Sequence, residues 1–128
     1  MKVIDKRTPE EFEDLVVAAI EELPEIFLEK LENVAIVVED WPDREALESV
    51  GVRGRSNLLG LYHGIPHTAR TRSYSLVMPD KISIYRRPIE MRCRNDEEVQ
   101  AMVKRVVRHE IAHHFGIDDD RLMEIGAY

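Results

Sequence analysis

Val107-Arg108-His109-Glu110-Ile111-Ala112-His113-His114-Phe115-Gly116-Ile117-Asp118-Asp119 is the stretch on which the reading of the whole chain turns. It contains HExxH within a longer HExxHxxGxxD. Residues four apart share one face of a helix, so His109 and His113 can direct two imidazole nitrogens at a single metal ion. Glu110 then lies beside them, within reach of a water held by that metal, which is the donor arrangement of a zinc hydrolase. Gly116 permits the left-handed conformation that ends a helix, and the turn lets Asp119 approach the same metal from another direction. Asp118 and Asp120 are alternatives for that third position. The competing reading makes both histidines ordinary helix-face residues and Gly116 merely a cap, and it leaves the spacing as coincidence.

Working outward, Asn95-Asp96-Glu97-Glu98 marks the start of the helix that carries the motif. Asn95 and Glu98 form a capping box, and the helix is expected to reach about Phe115. Val99, Met102, Val103, Val106 and Val107 form its apolar stripe. At 100° per residue, His109 and His113 lie along the Met102 and Val106 edge of that stripe, so the metal is expected where the helix borders the core. Lys104, Arg105 and Arg108 fall away from the stripe and are read as solvated.

The rest of the chain reads as an α+β frame of about three strands packed on helices. Thr8-Pro9-Glu10-Glu11 is a helix start, and Phe12, Leu15, Val16, Ala19, Ile20 and Leu23 recur at spacings of three and four. A short second helix spans Glu25 to Leu31, with Ile26, Phe27 and Leu31 inward. Val34 to Val38 is short and β-branched, hence a buried, central strand. Asp43 to Val50 forms one or two helical turns, followed by a flexible basic loop. Leu58 to Gly64 is a second strand in which Gly60 allows close approach of another element. Ile82 to Arg86 alternates apolar and polar, and Pro88 marks its end or makes it an edge, along which an extended peptide could pair as one more strand. His63 and His67 repeat the four-residue spacing, but Gly64 and Pro66 between them argue against a helix. A mobile basic loop follows His67, and a last helical turn is expected at Asp119 to Met123.

Composition sets the bounds. A chain of 128 residues is expected to form a single domain over 1–128 with a core that needs no disulfide, and the lone Cys93 fits a reducing compartment. The charged amino terminus and the lack of any long apolar run predict a soluble, cytoplasmic protein with no membrane partner. Net charge is −7, unevenly spread: residues 1–50 carry 15 acidic against 5 basic groups, and residues 51–94 carry 2 against 9. The basic middle is expected to be neutralised within the fold, because the acidic chain as a whole argues against a nucleic-acid partner. A metal-dependent phosphoester hydrolase is the alternative that a basic surface would support.

HEIAHHFGIDD resembles the zincin superfamily, and its Gly-turn-ligand extension resembles that of the metzincins. Together with Leu23-Pro24-Glu25, the Leu58 to Tyr62 strand followed by Gly64 and Pro66, the Ile82 to Arg86 strand and HEIAHHFGIDDDRL, it resembles a family of small bacterial zincin-like metallopeptidases. The resemblance implies a minimal zincin fold whose HExxH helix lines the cleft. It implies His109, His113 and Asp119 as zinc ligands, Glu110 as general base, and hydrolysis of a peptide or protein substrate. In the larger metzincins the third ligand is usually His and a methionine turn follows. Here the position holds Asp119, and Met123 falls too close to it for that turn. The shallow cleft and short tail make a zincin-fold binding protein, or a site completed by a partner protein, the alternative to an independent peptidase. Tyr62, His63, His67, Arg70 and Tyr85 are candidates to stabilise the oxyanion.

Overall fold

The alternation of Val34, Ile36 and Val38 with Ala35, Val37 and Glu39 turns every second side chain of this segment to one side, and those three are the buried ones. The segment is strand β2 (Val34–Glu39) of an α+β fold. The structure, a computed structural model, describes residues 3–4, 10–64 and 80–116. The Thr8-Pro9 cap, the loop after His67, the turn at 119–123 with Met123, and residues His67, Arg70, Asp118, Asp119 and Asp120 lie outside the described residues.

In chain order the elements are β1 (Val3–Ile4), α1 (Glu10–Glu21), α2 (Glu25–Lys30), β2, α3 (Arg44–Val50), a 3₁₀ turn at Arg55–Asn57, β3 (Gly60–His63), β4 (Asp80–Tyr85), α4 (Arg86–Glu90) and α5 (Asp96–Phe115). The sheet has the order β1-β2-β4-β3. β1 and β4 each run parallel to β2, whereas β3 is antiparallel to β4, which makes the sheet mixed. The two-residue β1 is the strand beyond the three that sequence patterning predicts. Two residues are too few to carry a period-two signal.

The position of β4 departs from expectation. Its alternation suggested one solvated face and an edge, but β4 is an interior strand between β2 and β3, with Ile82, Ser83, Ile84 and Tyr85 all buried. Ser83 is buried because it has a partner, lying 3.1 Å from His63 Nε2. Pro88 belongs to α4 and ends no edge strand. The edge beside the motif helix is β3.

The sheet buries one face fully and the other in part. Ile36, Val38, Ile82 and Ile84 meet Phe12, Val16 and Ile20 of α1, Phe27 of α2, and Val103, Val107 and Ile111 of α5 in one core. On the opposite face Leu61 and Tyr85 pack with Ala46 of α3. Asp43 caps α3 by accepting from Ala46 N at 2.8 Å, and Asn95 caps α5 by accepting from Glu98 N at 2.9 Å. Glu98 reaches back to Arg94 N–H, one residue earlier than a capping box requires.

Of the basic middle segment, Arg86 is drawn into the fold, whereas Arg53, Arg55, Arg87, Arg92 and Arg94 are exposed. Arg86, buried, pairs with Asp40 at 3.0 Å and with Glu90 at 3.1 Å, and Arg55 lies over the Trp41 ring. No helix among the described residues is long and apolar enough to cross a membrane.

Candidate active site

Glu110 is the centre of the site because two elements converge on it. Val99, Val103 and Val107 bury one side of α5 against the sheet, and this sets the rotation of the next turns. β3 crosses close by because Gly60 has no side chain: a Cβ there would lie 2.5 Å from Val106 Cγ1 and 3.1 Å from Ser83 O. Two residues on, Tyr62 N–H donates to Glu110 Oε1 at 2.9 Å. Strand and helix therefore advance together, Gly60 against Val106 and Tyr62 against Glu110.

Register explains why that N–H is available. Tyr85 N–H donates to Leu59 O at 3.0 Å, so Leu59 opposite Tyr85 is a hydrogen-bonded pair of the antiparallel ladder. Such pairs alternate, so Gly60 and Tyr62 turn their backbone groups away from β4. The edge strand thus offers its outward donor to the motif carboxylate.

Glu110 is half-buried, and burial raises its carboxyl pKa above the ordinary value. The Tyr62 N–H and the neighbouring His109 and His113 pull it partly back. His109 and His113 stand one turn apart on α5 and are exposed. Among the described residues neither imidazole has a hydrogen-bond partner, and no group of three metal-binding side chains occurs. The described chain supplies two imidazoles, and Asp119, the expected third donor, lies beyond it. Gly116 ends α5 at φ 70°, the left-handed turn expected to redirect the chain toward that position.

Of the oxyanion candidates, the structure separates those it describes. Tyr62 faces α5, its ring stacked on His114 at 3.9 Å and its hydroxyl donating to Asp80 at 2.8 Å. His63 and Tyr85 fall on the other face of the sheet. His63 holds Ser83, and burial lowers its pKa. Tyr85 is buried with its pKa pushed up to about 12, mainly by desolvation. Strand alternation excludes both from the Glu110 side. His114 was not singled out from the sequence, although its place four residues after Glu110 puts it on the face that meets β3.

A cleft of about 460 Å³ opens beside Glu110. Leu58, Leu59 and Gly60 line it from the strand side, Met102, Arg105 and Val106 from α5, and Arg92 from the segment after α4. It leads to His109 and Glu110 at one end. The chain thus combines an imidazole pair, a partly desolvated carboxylate and an open groove along an edge strand.

A search of curated proteins returns no match. A family model described as zincin-like metallopeptidase matches residues 31–127, a span that starts just before β2 and runs through α5. More than half of the chain is matched, and the α+β frame with HExxH on its last described helix fits that match: the chain belongs to the zincin-like metallopeptidase family.

Proposed function

We propose that the chain is a zinc-dependent peptidase, with His109, His113 and Asp119 as metal ligands and Glu110 as general base. The observation that carries the reading is the hydrogen bond from Tyr62 N–H to Glu110 Oε1, which holds the base against the strand beside which a substrate would lie. The donor set fits zinc: two imidazoles on successive turns, uncommitted among the described residues, and one carboxylate. Zinc, when bound there, supplies a Lewis acid that polarises a carbonyl and makes water acidic near neutral pH.

The chain's own residues do the rest. With Oε1 held by Tyr62, Glu110 keeps Oε2 to take a proton from the attacking water and return it to the leaving amine. Its partial burial makes the carboxylate a stronger proton acceptor than an exposed one. An extended peptide laid along β3 would meet the outward-facing backbone of Gly60 and the carbonyl of Tyr62, whose N–H is held by Glu110, bringing its scissile bond to Glu110.

The test is metal content by mass spectrometry on untagged protein, before and after zinc addition and desalting, followed by cleavage of a peptide library. About one zinc per chain is expected, with little in His113→Ala. Glu110→Gln should retain zinc and lose about a hundredfold or more of the cleavage rate. Equal cleavage by Glu110→Gln and parent would refute the mechanism.

A second reading is a zincin-fold binding protein whose cleft a partner completes. The exposure of both imidazoles favours it, since no described residue orients either ring. It predicts zinc retention without turnover by the isolated chain.

A further inference from the structure

We propose that the cleft beside Glu110 selects a peptide with an acidic side chain about two residues from the scissile bond, with Arg105 and Arg92 as the specificity-determining residues. This inference rests on the peptidase reading and adds to it a class of substrate.

The cleft is lined by residues of two chemistries. Met102, Val106 and Leu59 offer apolar surface to the stem of a side chain, and Arg92 and Arg105 line the same cleft. They come from different elements. Arg105 is on α5, one turn before His109. Arg92 follows α4, and its Nη1 donates to Ser56 O at 2.7 Å and to Pro88 O at 3.0 Å. Those two carbonyls fix the guanidinium of Arg92 in place before any ligand arrives.

The charges around the cleft give it a sign. The chain carries 25 acidic against 18 basic residues, and other arginines use that excess: Arg86 pairs with Asp40 and Glu90, and Arg44 with Glu48. Among the described residues no carboxylate pairs with Arg92 or Arg105. Against these two guanidinium groups the described lining sets a single carboxylate, Glu110 at the catalytic end, so the cleft keeps a positive excess complementary to one carboxylate on a methylene stem, the chemistry of a glutamate side chain.

The packing of β3 on α5 sets the spacing. Two strand residues, Gly60 to Tyr62, advance about 6.6 Å, and the four helix residues they accompany, Val106 to Glu110, advance about 6 Å. A peptide residue opposite Gly60 is therefore two residues from one opposite Tyr62, where Glu110 acts. The level of Gly60 and Val106 is also that of Arg105.

The experiment uses capped hexapeptides in which glutamate, glutamine or lysine is moved through each position of one neutral sequence. Binding to zinc-loaded Glu110→Gln protein is read by fluorescence anisotropy, and cleavage by the zinc-loaded parent is mapped by mass spectrometry. Glutamate at one position should bind about fivefold tighter than glutamine, as expected for a partly exposed ion pair. Arg105→Glu should abolish that preference or turn it toward lysine. Arg105 is exposed, so this variant keeps the fold, and Arg44→Gln on the distant α3 should leave the preference unchanged. Equal binding of the glutamate and glutamine peptides, or a preference that survives Arg105→Glu, overturns the proposal. Acid-selective binding without cleavage by the parent keeps the pocket and removes the peptidase reading. Cleavage without acidic preference does the reverse, and peptides that neither bind nor are cleaved remove both.

Discussion

Replacing Gly60 by alanine tests the contact that places the edge strand against the motif helix. The new Cβ would sit 2.5 Å from Val106 Cγ1, where ordinary contact begins at 3.4 Å, and 3.1 Å from Ser83 O. Strand and helix must therefore separate by nearly an ångström, or Val106 must leave its rotamer. Overpacking of this kind costs about 1–3 kcal/mol, and the reduced freedom of the unfolded chain returns about 0.5–1 kcal/mol. The net expectation is a loss of about 1–2 kcal/mol, or roughly 4–8 °C in Tm for a chain of this size. The assay is urea unfolding followed by far-UV circular dichroism, for Gly60→Ala in the parent and in Val106→Ala. Removing Cγ1 relieves the clash, so the alanine should be close to neutral in the second background, with a coupling of about 1–2 kcal/mol. The same loss in both backgrounds, or no loss in the parent, would refute the packing argument. Cleavage should fall more than stability alone explains, because the shift lengthens the Tyr62 to Glu110 hydrogen bond.

Further outcomes follow from individual groups. Gly116→Ala places a side chain at φ 70° with nothing within 4 Å, so the penalty is backbone strain alone, about 1 kcal/mol. Zinc affinity should weaken with it if the turn presents the third ligand, and calorimetric titration with zinc measures this. Burial lowers the pKa of His63 below 6.5, so the unfolded chain binds this proton first as pH falls. Stability is therefore full above 6.5 and declines as pH drops toward the folded value, and His63→Gln should flatten that part of the curve in urea titrations across pH. A parent and variant with parallel profiles there would show that another group governs the decline.

Local patterns made much of the architecture legible. The apolar spacing of Phe12, Val16 and Ile20 and of Val99, Val103 and Val107 predicts helices whose buried faces are the observed ones. Asp43 and Asn95 cap the helices whose starts they mark. Two readings failed for a shared reason. Ser83 looked like the solvated face of an edge strand, and His63 and Tyr85 looked available to the cleft. Which neighbour covers each face of β4 depends on β2 and β3, segments distant in the chain, and no local pattern of β4 records it.

The division between sequence and structure follows from the range of the forces involved. His109, Glu110 and His113 share their constellation because helical geometry relates residues three and four apart, so spacing alone determined which side chains stand together. Gly116 was readable as a left-handed cap for the same reason. Only the tertiary structure decided that Glu110 is held by Tyr62 N–H, that β3 is the edge strand beside α5, and that Arg92 and Arg105 line one cleft. Those relations join residues separated by 13 to 48 positions in the chain, and they arise when apolar faces are buried together, a process whose partners are set by the whole fold.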